Sequence, residues 1–125
     1  LKYTLNSTDK LRLKSEFNHV RVKGHKLVGR YCLLVTAPDT DGKLRCGVIC
    51  GKKYSNRAVK RNRARRLMWE SFRLLKPQIS TCHMVLIARK MIADAKQMDV
   101  QAELERLLKK AGQFNPLNSP SASKD

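Results

Sequence analysis

The chain has 125 residues, with 27 Lys+Arg against 10 Asp+Glu and a net charge of +17. That length suits one domain rather than two, and 42% hydrophobic residues argue against wholesale disorder. The charge exceeds what solubility requires and points to a polyanionic partner, nucleic acid first, because phosphate neutralisation releases condensed counterions. No apolar run approaches the roughly 18 to 20 residues that span a bilayer. The N-terminal LKYTLNSTDK has no apolar h-region, so neither a membrane segment nor a signal peptide is expected. A basic amphipathic helix could lie on an anionic membrane, but that would leave the strands described next unexplained.

In chain order, residues 1–14 read as an extended lead-in. Ser15 is placed to cap a short helix, SEFNHVRVKG, that Gly24 ends. RYCLLVTA, residues 30–37, is almost continuously apolar and reads as a buried strand. PDTDGK has turn chemistry, and RCGVIC, residues 45–50, reads as a second strand, giving an expected antiparallel hairpin. A long helix is predicted from about Arg57 to Leu75, closed by Pro77. HMVLIAR, residues 83–89, is a third strand. Asp99 is expected to cap a last helix with Val100, Leu104, Leu107, Leu108 and Ala111 on its apolar face and Glu103 and Glu105 on its surface. The expected order is α-β-β-α-β-α, an α+β sandwich occupying residues 1–112, with a disordered polar tail over 113–125. Cys32, Cys46, Cys50 and Cys82 all fall in strand-like apolar stretches and read as buried thiols in a reducing cytosol.

The long helix carries the unusual feature. Arg61, Arg63, Arg65 and Arg66 crowd into six positions just before Leu67, Met68 and Trp69. At about 100° per residue, Ala64, Leu67, Met68, Ser71 and Leu75 share one face, with Phe72 at its border. Asn62, Arg66, Trp69 and Arg73 share the opposite face, with Arg65 beside them and Arg61 nearer the border. Cations in the first turns oppose the helix dipole, at about 0.3 to 1 kcal/mol each. Glu70 is the only acid in the helix to offset them. That placement suits an anion, since exposed N–H groups, dipole and guanidinium all favour phosphate. Asn62 reads either as a bridge between guanidinium groups or as the cap of a late helix start. Trp69 reads either as a stacking platform or as the cover of a flanking element.

Candidate catalytic groups are sparse. His19 and His25 do not share a face, and no carboxylate cluster, P-loop, GxGxxG or HExxH pattern occurs. Cys46 and Cys50 lack zinc-site spacing. The residues describe a nucleic-acid-binding module without chemistry of its own.

Residues 57–67, RAVKRNRARRL, resemble the signature of the bacterial ribonuclease P protein subunit family, an Arg-Asn-Arg segment followed by a basic pair. Leu11-Arg-Leu with Phe17 and Val20, the Gly47-Val-Ile strand leading to Lys52-Lys53, Glu70 to Arg73, and Val85 to Lys90 extend the resemblance in order. It implies a left-handed βαβ crossover containing the basic helix, similar to the second domain of a small-subunit ribosomal protein. It implies no catalytic residue and no metal ligand in the protein itself. The active site would lie in a partner catalytic RNA that uses Mg2+ to remove the 5′ leader of precursor tRNA. No obligate protein partner and a cytoplasmic setting follow.

Carried over by resemblance, Arg57, Lys60, Arg61, Asn62, Arg63, Arg65, Arg66 and Arg73 would contact the catalytic RNA. Phe17, Arg21, Tyr31, Leu33, Val35, Lys52, Lys53 and Arg89 would line or border a cleft for the single-stranded leader. Some members carry aromatics where Arg21 and Val35 stand, which implies weaker stacking and a more electrostatic grip here. Tyr54-Ser55 also lacks a glycine that some members place in the connector. The alternatives are a ribosomal-type structural RNA-binding protein and a stand-alone ribonuclease.

Overall fold

Two nearly continuous apolar runs form the central strands of the sheet. The structure, a computed structural model, describes residues 5, 7–51 and 54–115. A 3-10 turn at Ser7–Asp9 precedes α1 (Lys14–Lys23), β1 (His25–Val28), β2 (Cys32–Ala37) and β3 (Arg45–Ile49). Then come α2 (Ala58–Leu75), β4 (His83–Ala88) and α3 (Gln97–Lys110), with further 3-10 turns at Lys76–Gln78 and Lys90–Asp94. The class is α+β, as expected.

The sheet order is β1-β2-β4-β3. β2 is antiparallel to both β1 and β4, and β3 is parallel to β4. Two expectations are corrected. β1 adds a strand, and the expected β2–β3 hairpin does not form, because β4 lies between those strands. The physical reason is burial. β2 and β4 are apolar on both faces and take the centre. β3, with a half-exposed Arg45, Val48 and Ile49, takes an edge. That edge is covered: Lys10 bridges to Cys46, and Arg45 Nη1 donates to the Thr8 carbonyl at 3.0 Å. The turn chemistry of 38–43 holds locally, since Asp39 Oδ1 accepts the Gly42 N–H at 2.6 Å and Gly42 has φ 72°. β3, α2 and β4 form the βαβ crossover.

Each sheet face has its own cluster. On one face Cys32, Leu34, Cys46, Met84 and Leu86 meet Ala64, Leu67, Met68, Phe72 and Leu75 of α2 and Val100, Leu104, Leu107 and Leu108 of α3. On the other, α1 covers only one end, where Leu11 and Val20 pack on Val35, Ala37 and Val85. All four cysteines are buried and unpaired. Burial pushes the Cys32 and Cys82 thiols up to about 12.

The helix starts differ from expectation in a consistent way. The N-cap of α1 is Leu13, not Ser15, and Glu16 Oε1 accepts the Arg12 and Leu13 N–H groups at 2.7 and 2.9 Å. Lys96, not Asp99, is the N-cap of α3, and Asp99 reaches back to the Lys96 N–H at 3.1 Å. In both helices an acid inside the first turn supplies the cap. At the C-terminal end, Ile79 and Phe114 form a bridge, and Ser80 N donates to the Gln113 carbonyl at 2.7 Å. Of the tail expected over 113–125, residues 113–115 are thus held to the fold, and the rest lies outside the described residues.

Candidate RNA interface

α2 begins at Ala58, with the Arg57 N–H held by Ser55 Oγ at 3.1 Å. Asn62 is thus inside the helix rather than its cap, and its Oδ1 accepts from one guanidinium, Arg65 Nη1 at 3.2 Å. Ala64, Leu67, Met68, Ser71, Phe72 and Leu75 are its buried residues, the face the wheel selects. The buried Ser71 hydroxyl donates to the Leu67 carbonyl and accepts from Gln97, tying α3 to α2.

The arginines divide into two groups. Arg61 Nη1 donates to the Ser55 carbonyl at 2.9 Å, and Arg65 Nη2 donates to the Cys50 carbonyl at 2.9 Å. Arg63 donates to the carbonyls of Ala93 at 2.9 Å and Ala95 at 2.6 Å, with a longer contact to Ile92 at 3.4 Å. These three brace neighbouring backbone while keeping their charge, since their partners are neutral. Asn62 and Arg66 are exposed on the face opposite the buried one, and Arg57 and Lys60 are exposed at the start of the helix. Arg73 is instead paired with Glu70, which lowers the carboxyl pKa and raises that of the guanidinium. Trp69 is half-buried, edge-on to Phe72 at 6.1 Å, with Lys10 Nζ 5.0 Å from its ring centroid. Of the two readings of Trp69, these contacts match the cover of a flanking element.

The uncovered part of the opposite sheet face holds the second surface. Strand register aligns Lys26 with Val35 and Val85, and Leu33 with Ile87 and Ile49. Directly opposed residues point to one side. A cavity of about 510 Å³ lies over these rows, with Arg21, Lys26, Leu33, Val35, Ile49, Tyr54 and Ile87 among its lining. Its floor is aliphatic, and Arg21 and Lys26 supply charge. A smaller cavity of about 200 Å³ sits beyond the connector, lined by Tyr54, Ser55, Lys60, Lys90 and Ala93.

Of the residues assigned to the leader, Arg21, Leu33 and Val35 line the larger cavity. Phe17 packs at its covered end against Gly47, where a Cβ would stand 2.3 Å from Phe17 Cε1. Tyr31 does not line it. β2 begins one residue later, so strand parity does not govern Tyr31, which packs against the helix-side cluster. Arg89 is exposed past the end of β4 and donates from Nη1 to the Gly29 carbonyl at 2.7 Å. Lys52 and Lys53 lie outside the described residues. Lys26, Ile49, Tyr54 and Ile87 were not anticipated. Parity identifies Ile49 and Ile87 only once β4 is known to separate β2 from β3, and Lys26 belongs to the strand that was missed.

The acids have structural work. Glu103, expected on the surface, is 4% exposed. It accepts the N–H groups of Arg30 at 2.8 Å and Tyr31 at 2.8 and 2.9 Å, with a longer contact from Cys32 at 3.4 Å. Gly29 makes room, since a Cβ there would be 2.1 Å from Glu103 Oε1. Asp41 holds Arg45 and sits 3.1 Å from His83 Nε2. The Arg45 guanidinium leads in holding its carboxyl down at about 2. His19 and His25 line separate cavities.

A family model described as Ribonuclease P matches residues 5–112. The ribonuclease P protein component of Chloroflexus aggregans is 34% identical over 109 residues, 86% of this chain and 80% of its own. That of Clostridium botulinum is 36% identical over 109 residues, 86% of this chain and 97% of its own. The solved ribonuclease P protein of Staphylococcus aureus aligns with a TM-score of 0.76 at 30% identity, covering 86% of this chain and 98% of that one.

Proposed function

Since the chain belongs to the ribonuclease P protein family, we propose that its arginine helix holds the catalytic RNA of that enzyme while its sheet-face cavity holds the single-stranded 5′ leader of precursor tRNA. Membership makes the protein a component of an endoribonuclease of tRNA processing, with RNA as its partner. It disfavours the ribosomal alternative. One observation carries the division of labour. The outward face of α2 is polar and cationic, whereas the sheet-face cavity pairs an aliphatic floor with Arg21 and Lys26. The first suits a folded RNA read through phosphates. The second suits an unpaired strand whose bases lie on apolar surface while its phosphates meet cations.

The bond-breaking step is assigned to the RNA. In this reading Mg2+ would be held by RNA phosphates and supply the nucleophile there. The protein's residues bind, orient and neutralise. A cytoplasmic setting is part of this reading, and no helix among the described residues is long and apolar enough to cross a membrane. The test is cleavage of precursor tRNA. The protein alone should leave it intact, and adding the catalytic RNA at low Mg2+ should restore 5′ processing. Cleavage by the protein without any RNA subunit would contradict the reading.

A further inference from the structure

Tyr54 belongs to both cavities. Among the described residues it is the one aromatic residue lining the sheet-face cavity, and it also lines the smaller cavity of Lys60 and Lys90. Its backbone is fixed. The Tyr54 N–H donates to the Gly51 carbonyl at 3.0 Å, Arg61 grips the Ser55 carbonyl, and Arg65 grips the Cys50 carbonyl. One part of the side chain packs on the helix-side core. Burial raises the phenol pKa above its ordinary value. An aromatic residue held at the border of two cavities offers a surface on which any base can stack. The aliphatic floor beside it offers contact area but no π face.

We propose that Tyr54 is the base-stacking residue at the exit of the leader cavity. The strand lies over Leu33, Ile87 and Ile49, stacks one base on Tyr54 as it leaves, and turns the adjoining phosphate toward Lys60 and Lys90. This deepens the leader reading and rests on it.

The experiment uses the holoenzyme and precursor tRNAs with a single abasic nucleotide walked along the leader. Affinity is measured for precursor and for mature tRNA. Tyr54→Leu should weaken precursor binding about 10-fold and leave mature tRNA binding unchanged, whereas Tyr54→Phe should keep the wild-type affinity. In the wild type, one abasic position should cost a similar factor, and the same position should cost Tyr54→Leu nothing more. Abasic losses that are the same at every position for wild type and Tyr54→Leu would overturn the proposal, as would equal losses for the Phe and Leu variants. A wild-type holoenzyme that binds precursor no better than mature tRNA would bring down the leader reading itself, and the proposal with it.

Discussion

Arg63 shows why a basic run cannot be assigned to a ligand residue by residue. Its guanidinium satisfies backbone carbonyls of Ala93 and Ala95, in and just after the 3-10 turn that precedes α3, about thirty positions away. Nothing local in RNRARR distinguishes it from Arg66, which is exposed. The planar fork reaches several acceptors at once, which an ammonium cannot. Arg63→Lys should therefore lower stability by about 1 to 3 kcal/mol, read as a lower urea midpoint at unchanged slope. Its effect on RNA affinity should be small, because the charge remains. Glu103 carries the same lesson with the opposite sign. A surface position on a helical wheel was a fair reading of its spacing. Its partners lie at residues 30–32, more than seventy positions back, and only the fold brings them together.

α2 was the most legible element, because its periodicity is a property of the helix itself. The dry face read from the sequence is the face that is buried. Sheet order was least legible. PDTDGK closes a local turn, yet which strand pairs with which depends on burial across the whole sheet, and the short, mostly exposed β1 gives little pattern to read. On the proposed reading the helix has two tasks that separate in experiment. Arg66→Ala removes an exposed cation. It should weaken holoenzyme assembly and reduce the salt slope by about 1, with the preference for precursor over mature tRNA unchanged. Arg61→Ala removes a cation and also frees the connector that carries Tyr54. It should lower both assembly and that preference. Identical profiles for the two variants in a titration over several salt concentrations would deny the connector brace.

At the scale of the molecule, a net charge of +17 is a cost to the isolated fold. The mixed sheet covers its two faces differently. One face is sealed by α2 and α3, and that packing is what allows α2 to show cations outward. The other face is only partly covered by α1, which leaves the cavity open beside the same helix. Composition foretold a polyanion, and the family resemblance named it. The cavity's actual lining required the strand order, and the tie of α2 to Cys50 and Ser55 required the arginine–carbonyl contacts.

The central claim is that the sheet face meets the leader while the helix face meets the catalytic RNA. All four native cysteines are buried, so a single introduced cysteine can take an iron chelate for hydroxyl-radical cleavage. In the holoenzyme bound to precursor tRNA, Lys26→Cys should cut the leader and spare the tRNA body, and Arg66→Cys should cut the catalytic RNA. Leader cuts from the Arg66 position with none from the Lys26 position, or the same cuts from both, would contradict the account.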